Sequence, residues 1–401
     1  MQTEAVPTAV RLFAPADVDP GLALLCLAFG EPPHPDDRGA EGDVVDPGRF
    51  YAAEQDGALV GTAGSFAFTM TVPGGPVPVA GVSWVGVHPT ARRQGVLTGL
   101  MRRQLDDLHA GGEAVAALWA SEGGIYQRYG YAPAAWSLSV AVPRGAAFVE
   151  PVPRGGVRLV LPRAEVLAPL YDAVVAVRPG WPARDAAWWR YRLHDPEHTR
   201  SGATALQAAV TDGGYVLYRQ KPAWIDGIAA GTVEVRELVA ANPTAHARLW
   251  RFVLDLDLTT EVTARSVAPD DPLLQLLAEP RGAKARYSEN LWVRLVDVPA
   301  ALAQRRYAAD LDVVLAVEDA FCDWNRGTFH LVGGRDGAAC TRVDTSADLS
   351  VGVADLGAAY LGGTSLLSRR TTVVENTPGA LSRTSTAFGP LEAAPCCPMV
   401  F

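Results

Sequence analysis

Hydrophobic and polar positions in the first third of the chain switch between two periods. Positions 58–71 are rich in Val, Phe and Thr and predict two β-type halves, 58–64 and 65–71, in an antiparallel meander. Positions 81–87 alternate as a strand, and 95–109 carry apolar residues at helical spacing. Another strand is predicted over 114–120, followed by a short helix with Ser121 as N-cap. The pattern predicts a strand, a basic turn, a helix, a strand and a short helix, in this order.

Segments rich in proline and glycine divide the chain. They lie at 31–48, 72–81, 142–156 and 297–299 and predict breaks between elements. Beyond position 290, the runs 293–296, 311–317 and 371–375 are β-like, and 347–361 looks partly helical. These runs predict a third, α+β unit.

One sequence block occurs twice, about a domain length apart. The block 87–91 (VHPTA) is echoed by 241–245 (ANPTA), each after a β-like run and before a helical one, which in the second copy are 233–239 and 247–256. The Arg-Arg-Gln-Gly that follows the first block is replaced by His-Ala-Arg-Leu after the second. This predicts a duplicated domain whose second copy has lost a phosphate loop, with chance similarity as the alternative.

Composition restricts the class of protein. The 401 residues, 49% hydrophobic and 20% charged, suit a folded chain of two or three domains. A net charge of −9 argues against nucleic acid as partner and mildly favours cationic small molecules. We find no apolar run of the roughly 18 residues that a membrane helix needs and no apolar signal-peptide core at the start. We therefore expect no membrane span and a cytoplasmic location.

Cysteine and histidine spacing gives no sign of a metal site. The five cysteines are odd in number and lack a CxxC pair, so neither a zinc site nor a disulfide framework is indicated. The histidines show no HExxH spacing. We expect no metal.

The segment 82–97 is the most informative for chemistry. Pro89 ends a strand, and Arg92, Arg93 and Gly95 stand at the start of an amphipathic helix. Free backbone N–H groups, the positive end of the helix and two guanidiniums would together bind a pyrophosphate. Glycine at position 95 would let the backbone approach the phosphate without a Cβ in the way. The alternative is a solvated helix start with a simple turn glycine.

This turn and the block 121–131 (SEGGIYQRYGY) resemble the acetyl-CoA site of the GNAT N-acetyltransferases. The SEGGIY block, the three-part chain and the C-terminal phenylalanine resemble, more narrowly, the Eis (enhanced intracellular survival) family of aminoglycoside acetyltransferases, over essentially the whole chain. The last part is similar to sterol carrier protein 2 at 309–313, 325–329, 347–349 and 360–363. The resemblance implies an α/β (α+β) protein with tandem GNAT folds, the second degenerate, and a C-terminal SCP2-like domain. It places the domains at 1–145, 146–292 and 293–401 and implies a homo-hexamer.

Acetyl transfer from acetyl-CoA assigns roles to the residues of these motifs. Strand amides would pair with the pantetheine arm, and the helix turn would hold the pyrophosphate. Tyr126, with an ordinary pKa near 10, stays protonated at neutral pH and would protonate the leaving thiolate. The alternative is that Tyr126 is a buried core residue without a catalytic role. The residues expected to bind acetyl-CoA are Val85, Gly86, Val87, Arg92, Arg93, Gly95, Val96, Ser121 and Glu122.

The chain terminus is a second candidate for catalysis. The resemblance implies that the terminal carboxylate, here that of Phe401, reaches the active site of the first domain. An α-carboxylate is a weak base and would orient the amine or relay its proton through water. A disordered tail is the alternative, but positions 394–401 are apolar, which favours burial.

The predicted acceptor pocket departs from the family pattern. Polycationic aminoglycosides call for carboxylates, yet the places where relatives carry them are occupied by the neutral Cys26 and Val400. Near the expected mouth of the acceptor pocket, the remaining acidic residues are Glu31, Asp36 and Asp37, which lie in a proline-rich loop. The alternative is that these three are ordinary solvent-exposed charges of the loop. Trp84 and Trp119 are the predicted aromatic walls.

We therefore expect an enzyme that transfers acetyl directly from acetyl-CoA to a primary amine. The acceptor would be an aminoglycoside, another polyamine-like molecule or a lysine side chain. The alternative is a non-catalytic module that senses CoA or holds a lipid in its sterol-carrier-like domain. Acceptor-dependent release of CoA thiol would separate the two.

Overall fold

The computed structural model describes residues 8–401. The acidic start that the signal-peptide expectation used falls mainly in residues 1–7, outside this range. The strands are β1 (Ala9–Leu12), β2 (Phe50–Gln55), β3 (Ala58–Val72), β4 (Gly75–Val87), β5 (Val115–Leu118), β6 (Ala132–Pro133), β7 (Trp136–Pro143), β8 (Arg158–Val160), β9 (Gln207–Thr211), β10 (Gly214–Lys221), β11 (Trp224–Ile225), β12 (Ile228–Ala229), β13 (Gly231–Ala240), β14 (Thr259–Val267), β15 (Arg286–Glu289), β16 (Trp292–Leu295), β17 (Leu311–Glu318), β18 (Gly327–Gly334), β19 (Gly337–Arg342), β20 (Leu349–Gly352) and β21 (Val374–Glu375).

The α-helices carry most of the remaining regular structure of the described range. They are α1 (Val18–Phe29), α2 (Asp37–Gly42), α3 (Val96–Ala110), α4 (Gly123–Tyr126), α5 (Ala164–Val175), α6 (Ala186–Leu193), α7 (Pro243–Leu254), α8 (Leu273–Leu276), α9 (Val298–Gln304), α10 (Val353–Ala359) and α11 (Ala380–Ala387). Within residues 8–401, none of the helices has the length and apolar character needed to cross a bilayer.

The chain forms two compact units, of which the first comprises residues 8–135, 291–391 and 400–401. Its larger sheet has the strand order β1-β2-β3-β4-β5-β16-β6. Here β4 runs parallel to β5, with α3 between them in sequence, as predicted for strand, turn, helix and strand. The side chains of Met101, Leu105 and Leu108 pack α3 on one face of the sheet against Ala80 and Val82. Helix α1 contacts β3 and β4.

The predicted break at 72–81 is wrong. Instead, β3 and β4 form one long hairpin whose pairing runs from Gly61 with Val87 to Val72 with Gly75, so 58–71 is one strand rather than two. Pro76 and Pro78 are exposed and alternate with buried valines, and β5 begins to pair with β4 only at Ala80. Proline is tolerated there because the outer edge of β4 has no ladder hydrogen bond to lose at these positions.

The first unit also contains a five-stranded sheet in the order β19-β18-β17-β20-β21. Strand β17 buries alternate residues and pairs in parallel with β20, which leads into α10. The guanidinium of Arg305, fully buried, donates to the carbonyls of Ala359, Tyr360 and Phe388. This confirms the α+β character predicted for the chain beyond residue 290.

The second unit comprises residues 136–290 and 392–399. Its sheet has the order β15-β7-β14-β13-β10-β9-β8, and β13 is parallel to β14 with α7 between them in sequence. This repeats the arrangement of β4, α3 and β5, and the echoed blocks 87–91 and 241–245 occupy the same place in both copies. The predicted duplication is therefore present in the fold. The three tryptophans at 181, 188 and 189 are buried, and Trp181 stacks on Tyr171 in the core of this unit.

Each large sheet draws strands from distant parts of the sequence. Strand β7 follows β6 in the chain but pairs with β14 and β15 in the second unit. Strand β16 lies between β5 and β6 in the first unit. The division at 145 and 292 stays a prediction about the sequence, because the sheets are not contiguous segments.

A buried charge network holds the second unit together. Glu237 on β13 accepts two hydrogen bonds from Arg184, at 3.0 and 2.6 Å, and one from the hydroxyl of Tyr215 at 2.5 Å. Arg192 donates to the same carboxylate at 3.2 Å. Although burial alone favours the neutral acid, the two arginines prevail and lower the pKa of Glu237 to about 2. The carboxylate is therefore ionised and fully partnered.

Replacing Glu237 by Gln should lower the free energy of unfolding by about 3 to 5 kcal/mol at pH 7, because it leaves the Arg184 guanidinium buried without its counter-charge. The pKa of Glu237 is depressed in the folded state, so its contribution is complete above its ordinary pKa and is lost as pH falls toward 2. Denaturant titrations of the wild type and of the Glu237→Gln variant should therefore give a difference in the free energy of unfolding that becomes smaller at acidic pH. The control, Glu289→Gln on an exposed strand, should change stability little; an equal loss there would contradict the prediction.

Candidate active site

The site begins where two parallel strands stop pairing. Strands β4 and β5 pair only over Ala80–Val82 and 116–118, whereas β4 continues to Val87. The β3–β4 register shifts between Thr62 and Gly64, which places a bulge in β4. Trp84 lies in this bulge with φ +52°, and the Thr62 hydroxyl donates to its carbonyl at 2.8 Å. We call the region beyond Val82 and Leu118 the first fork.

The first fork offers backbone donors on one side of β4. Gly86 and Val87 pair with Thr62 and Gly61 of β3, so their strand is held in place from that side. Among residues 8–401, no strand pairs with 83–87 from the β5 side. The backbone around Val85 is thus presented as an unpaired strand edge, which can receive an extended ligand as an added strand.

The predicted phosphate turn leads directly into α3. Arg93 has φ +63° and Gly95 has φ +87°, and α3 begins at Val96 without a side-chain cap or an acidic residue in its first turn. The first amides of the helix are therefore open to an anion. A Cβ on Gly95 would meet no atom within 4 Å, so its backbone conformation, rather than space, requires glycine. Arg92 donates to the carbonyl of Ala28 at 3.0 Å and so ties the turn to α1.

Tyr126 ends the short helix α4 and lies on the α3 side of the sheet. Its side chain is buried, and its hydroxyl is hydrogen-bonded by Ser121. Burial, above all, raises the pKa of Tyr126 to about 12, although the Ser121 contact acts in the opposite direction. The hydroxyl therefore remains protonated at neutral pH. The helix begins at Gly123 with Glu122 as N-cap, so the predicted N-cap role of Ser121 is wrong.

A buried ion pair fixes the turn that follows Tyr126. Arg294 on β16 donates to the carbonyl of Tyr129 at 2.5 Å and to Asp319 at 2.6 Å. Asp319 also accepts from Asn325 at 3.0 Å, and both charged side chains are buried. Gly130 has φ +82°, and a Cβ there would lie 1.7 Å from the Arg294 guanidinium. Sequence analysis missed this network because its members lie 165 and 25 positions apart.

The other face of the sheet carries a continuous row of aromatic rings. Trp84 meets Phe50 edge-on at 5.4 Å between ring centroids, and Phe66 links Phe50 to Phe68. The ring of Phe401 packs edge-on against Phe68 at 4.9 Å and is buried. Phe401 is thus packed in the core of the first unit.

Three acidic residues of α2 and of its connection to α1 lie near Cys26 on α1. Burial and the charges of Glu41, Glu31 and Asp37 raise the pKa of the Cys26 thiol. Burial and the charges of Asp37 and Glu31 raise the pKa of Glu41 to about 7. One carboxylate oxygen of Glu41 is buried without a hydrogen-bond partner among the described residues. Sequence analysis named Glu31 and Asp37 but missed Glu41, whose i,i+4 spacing from Asp37 was the available signal.

The remaining predicted pocket residues have different environments. Val400 is exposed and Asp36 lies on the surface beside His34. Trp84 is buried in the aromatic row. Trp119 follows β5 at the first fork, and its indole N–H is buried without a partner among residues 8–401. The predicted roles of all four in acceptor binding stay predictions.

Family comparisons define the class of protein. Residues 9–134 and 180–295 each match a model described as an acetyltransferase (GNAT) domain, and 298–398 match a sterol carrier protein domain. The tandem GNAT fold with an SCP2-like domain is therefore confirmed, and the chain is an N-acetyltransferase. This decides against the non-catalytic binding module.

Comparison with individual relatives narrows the class. An uncharacterized N-acetyltransferase of Streptomyces avermitilis is 46% identical over 82% of this chain and 84% of its own. The N-acetyltransferase Eis of Mycobacterium tuberculosis is 35% identical over 88% and 90%. The crystal structure of Eis1 from Mycobacterium abscessus, 33% identical, covers 98% of this chain and 100% of its own with a TM-score of 0.84. The protein belongs to the Eis family.

Replacing Gly130 by Ala should lower the free energy of unfolding of the first unit by at least about 1 to 3 kcal/mol, because the positive φ and the Arg294 guanidinium both oppose a Cβ. Gly124→Ala is a matched control on the neighbouring helix, where a Cβ would meet no atom within 4 Å, and should shift stability by less than about 0.5 kcal/mol. Thermal melts of the two variants measure this difference. Equal shifts of the melting temperature would contradict the importance of the Gly130 turn for stability.

Proposed function

We propose that this protein transfers the acetyl group of acetyl-CoA directly to a primary amine of a cationic, aminoglycoside-type acceptor. The observation that carries the proposal is the first fork, which combines an unpaired edge of β4, an uncapped helix start and a buried tyrosine, with Val85 and Leu97 packed against the cluster that contains Tyr126. Each of the three matches one part of acetyl-CoA chemistry: the pantetheine arm, the pyrophosphate and the thiolate.

The residues at the first fork suit acetyl-CoA as co-substrate. The amides at Gly95 and Val96, with the charge of Arg93, would hold the pyrophosphate, while Arg92 braces the turn through Ala28. The backbone of Val85, Gly86 and Val87 would pair with the pantetheine arm and polarise the thioester carbonyl. Exposed Ser121 and Glu122 would line the entrance beside α4.

The reaction needs one proton to be removed and one to be supplied. The acceptor ammonium gives one proton to solvent before its nitrogen attacks the thioester carbonyl. The C–N bond then forms, the C–S bond breaks, and the thiolate takes a proton from the Tyr126 hydroxyl, which is restored from the amide nitrogen. A hydroxyl with a pKa near 12 remains available as an acid throughout the neutral range.

The acceptor is proposed from charge. The acids Glu31, Asp37 and Glu41 around Cys26 supply the negative potential that neutral Cys26 and Val400 do not. A cationic amine would relieve the mutual repulsion of these acids, and Asp36 in the same loop adds to the field. Trp84 and Trp119 are the proposed aromatic walls of this pocket.

Location and assembly are proposed on narrower grounds. All five cysteines are described, and none forms a disulfide, which fits a reducing compartment such as the cytoplasm. Assembly into a homo-hexamer is proposed from the family resemblance alone.

Thiol release from acetyl-CoA, measured with an aminoglycoside, a polyamine and a lysine peptide, tests the proposal. We expect turnover with the aminoglycoside and a kcat lowered by about 10²-fold or more in Tyr126→Phe, because general acid catalysis contributes on this scale. Tyr129→Phe is the matched control, since the hydroxyl of that buried ring has Thr98, at 3.3 Å, as its one hydrogen-bond partner within residues 8–401. Turnover with the peptide alone would contradict the acceptor class, and equal rates in both variants would contradict the role of Tyr126.

The α-carboxylate that Phe401 carries as the last residue of this sequence is proposed to orient the acceptor amine. The support is the burial of the Phe401 ring against Phe68, on a face of the sheet that adjoins the first fork. Two glycines appended after Phe401 should lower kcat by about tenfold or more, because the negative charge moves away from the docked ring. The same two residues added before Met1 are the control. Unchanged turnover in the extended protein would remove the carboxylate from the mechanism.

A further inference from the structure

The second unit has a fork of its own, and a cavity lies in it. Strands β13 and β14 pair in parallel up to Val235 and Ala264, after which β13 continues to Ala240; we call the region beyond this point the second fork. The cavity there measures about 280 Å³, near the lower end of small-molecule pockets. Its apolar walls include Trp181 and Trp250, both buried.

Most of the charged groups around this cavity are already neutralised. Glu237 is bound by Arg184, and Arg178 contacts Asp270 at 2.7 Å. Asp271 meets His246 at 2.9 Å and accepts a hydrogen bond from the amide of Leu273. The two acids that line the cavity, Glu237 and Asp271, therefore already have hydrogen-bond partners within this unit.

Two arginines at the second fork remain without such partners. The β10–β13 register shifts so that Arg236 is the extra residue of a bulge, immediately after Val235. Arg265 follows Ala264, the parallel partner of Val235, so the two arginines are neighbours across the fork and both line the cavity. Among residues 8–401, neither guanidinium takes part in a hydrogen bond or ion pair. Arg236 is exposed as a residue, but partial burial of its guanidinium and the nearby charges of Arg192, Arg219 and Arg265 lower its pKa, and Glu234 offsets this only in part.

A third polar group in the cavity wall is unsatisfied. His246 is buried to more than nine tenths, with 9% of its side chain exposed, and its Nδ1 has no hydrogen-bond partner among the described residues. Its Nε2 is already used, lying 2.9 Å from Asp271 and 3.2 Å from the indole nitrogen of Trp250. A buried ring nitrogen left without a partner is costly, so a polar ligand atom or water in the cavity would stabilise it.

The start of α7 is capped, unlike the start of α3 in the first unit. Asn242 caps the helix, and its side chain accepts a hydrogen bond from the amide of Ala245 at 2.8 Å. Pro243 has no amide hydrogen and Asn242 occupies that of Ala245, so the start of α7 offers fewer free amides to an anion than the uncapped start of α3.

We propose that the second fork binds a small organic anion, whose carboxylate or phosphate lies between Arg236 and Arg265 and whose apolar body contacts Trp181 and Trp250. Two adjacent guanidiniums without counter-charge are an ordinary receptor for such a group. This site is independent of the acetyl transfer proposed for the first unit.

Calorimetric titration of the full chain with benzoate and with phenyl phosphate tests the proposal. We expect saturable binding of at least one of them, and a Kd at least tenfold higher in the double variant Arg236→Gln, Arg265→Gln. Both side chains are exposed at the cavity rim and unpaired, so thermal melting should be unchanged. Benzylamine, which carries the same ring with a positive charge, should not bind this site.

Two single variants serve as controls. Arg158→Gln removes an exposed arginine from strand β8 and should leave anion binding unchanged. Arg93→Gln removes a charge from the phosphate turn of the first unit, and binding should again persist. Loss of binding in Arg93→Gln with retention in the double variant would place the anion in the first unit and overturn the proposal. Absence of saturable binding by either probe would overturn it as well.

Discussion

Both halves of this protein depend on the same constraint, which is that two parallel strands stop pairing while one of them continues. A bulge in the continuing strand accompanies the separation in each case, at Trp84 in β4 and at Arg236 in β13. Pairing ends at Val82 in the first copy and at Val235 in the second. Separated strands leave backbone groups without a ladder partner, and a folded protein must pair them with water or ligand.

The two forks differ in what stands at the start of the following helix. In the first, Gly95 adopts a positive φ and nothing caps α3, so its amides are open. In the second, Asn242 caps α7 by accepting a hydrogen bond from the amide of Ala245. This cap distinguishes the backbone anion site proposed for the first fork from the side-chain site proposed for the second. The two copies thus share the geometry of the fork and differ in the groups proposed to bind there.

Local pattern predicted the elements around the first fork well. The helix predicted over 95–109 is observed as Val96–Ala110, and the strand over 81–87 forms the end of β4. Such features follow from spacing, turn residues and capping, which are local. The hairpin through Pro76 and Pro78 was mispredicted because proline is excluded only where a ladder bond is needed, and that depends on where β5 pairs.

The residues that hold the site in place could not be predicted from local sequence pattern either, because they also depend on partners that are distant in sequence. Arg294 supports the Tyr129–Gly130 turn from a strand distant in sequence, and Asp319 neutralises it from the adjoining sheet. A buried charge of this kind is unfavourable until both partners are present, so neither residue has a signature by itself. Tyr126 could be predicted as the acid from its motif, whereas the reason for its fixed position could not.

The charges around Cys26 also depend on one another. A carboxylate on α1 at position 26 would face Glu31, Asp37 and Glu41 at close range, and the repulsion would raise the cost of burying any of them. A cysteine there removes one of four like charges, while Glu41, with a pKa near 7, remains able to ionise when a cation approaches. The negative potential around Cys26 therefore comes from the adjacent loop and from α2. A cation placed beside these acids would lower the pKa of Glu41 again, because an opposite charge favours the ionised carboxylate.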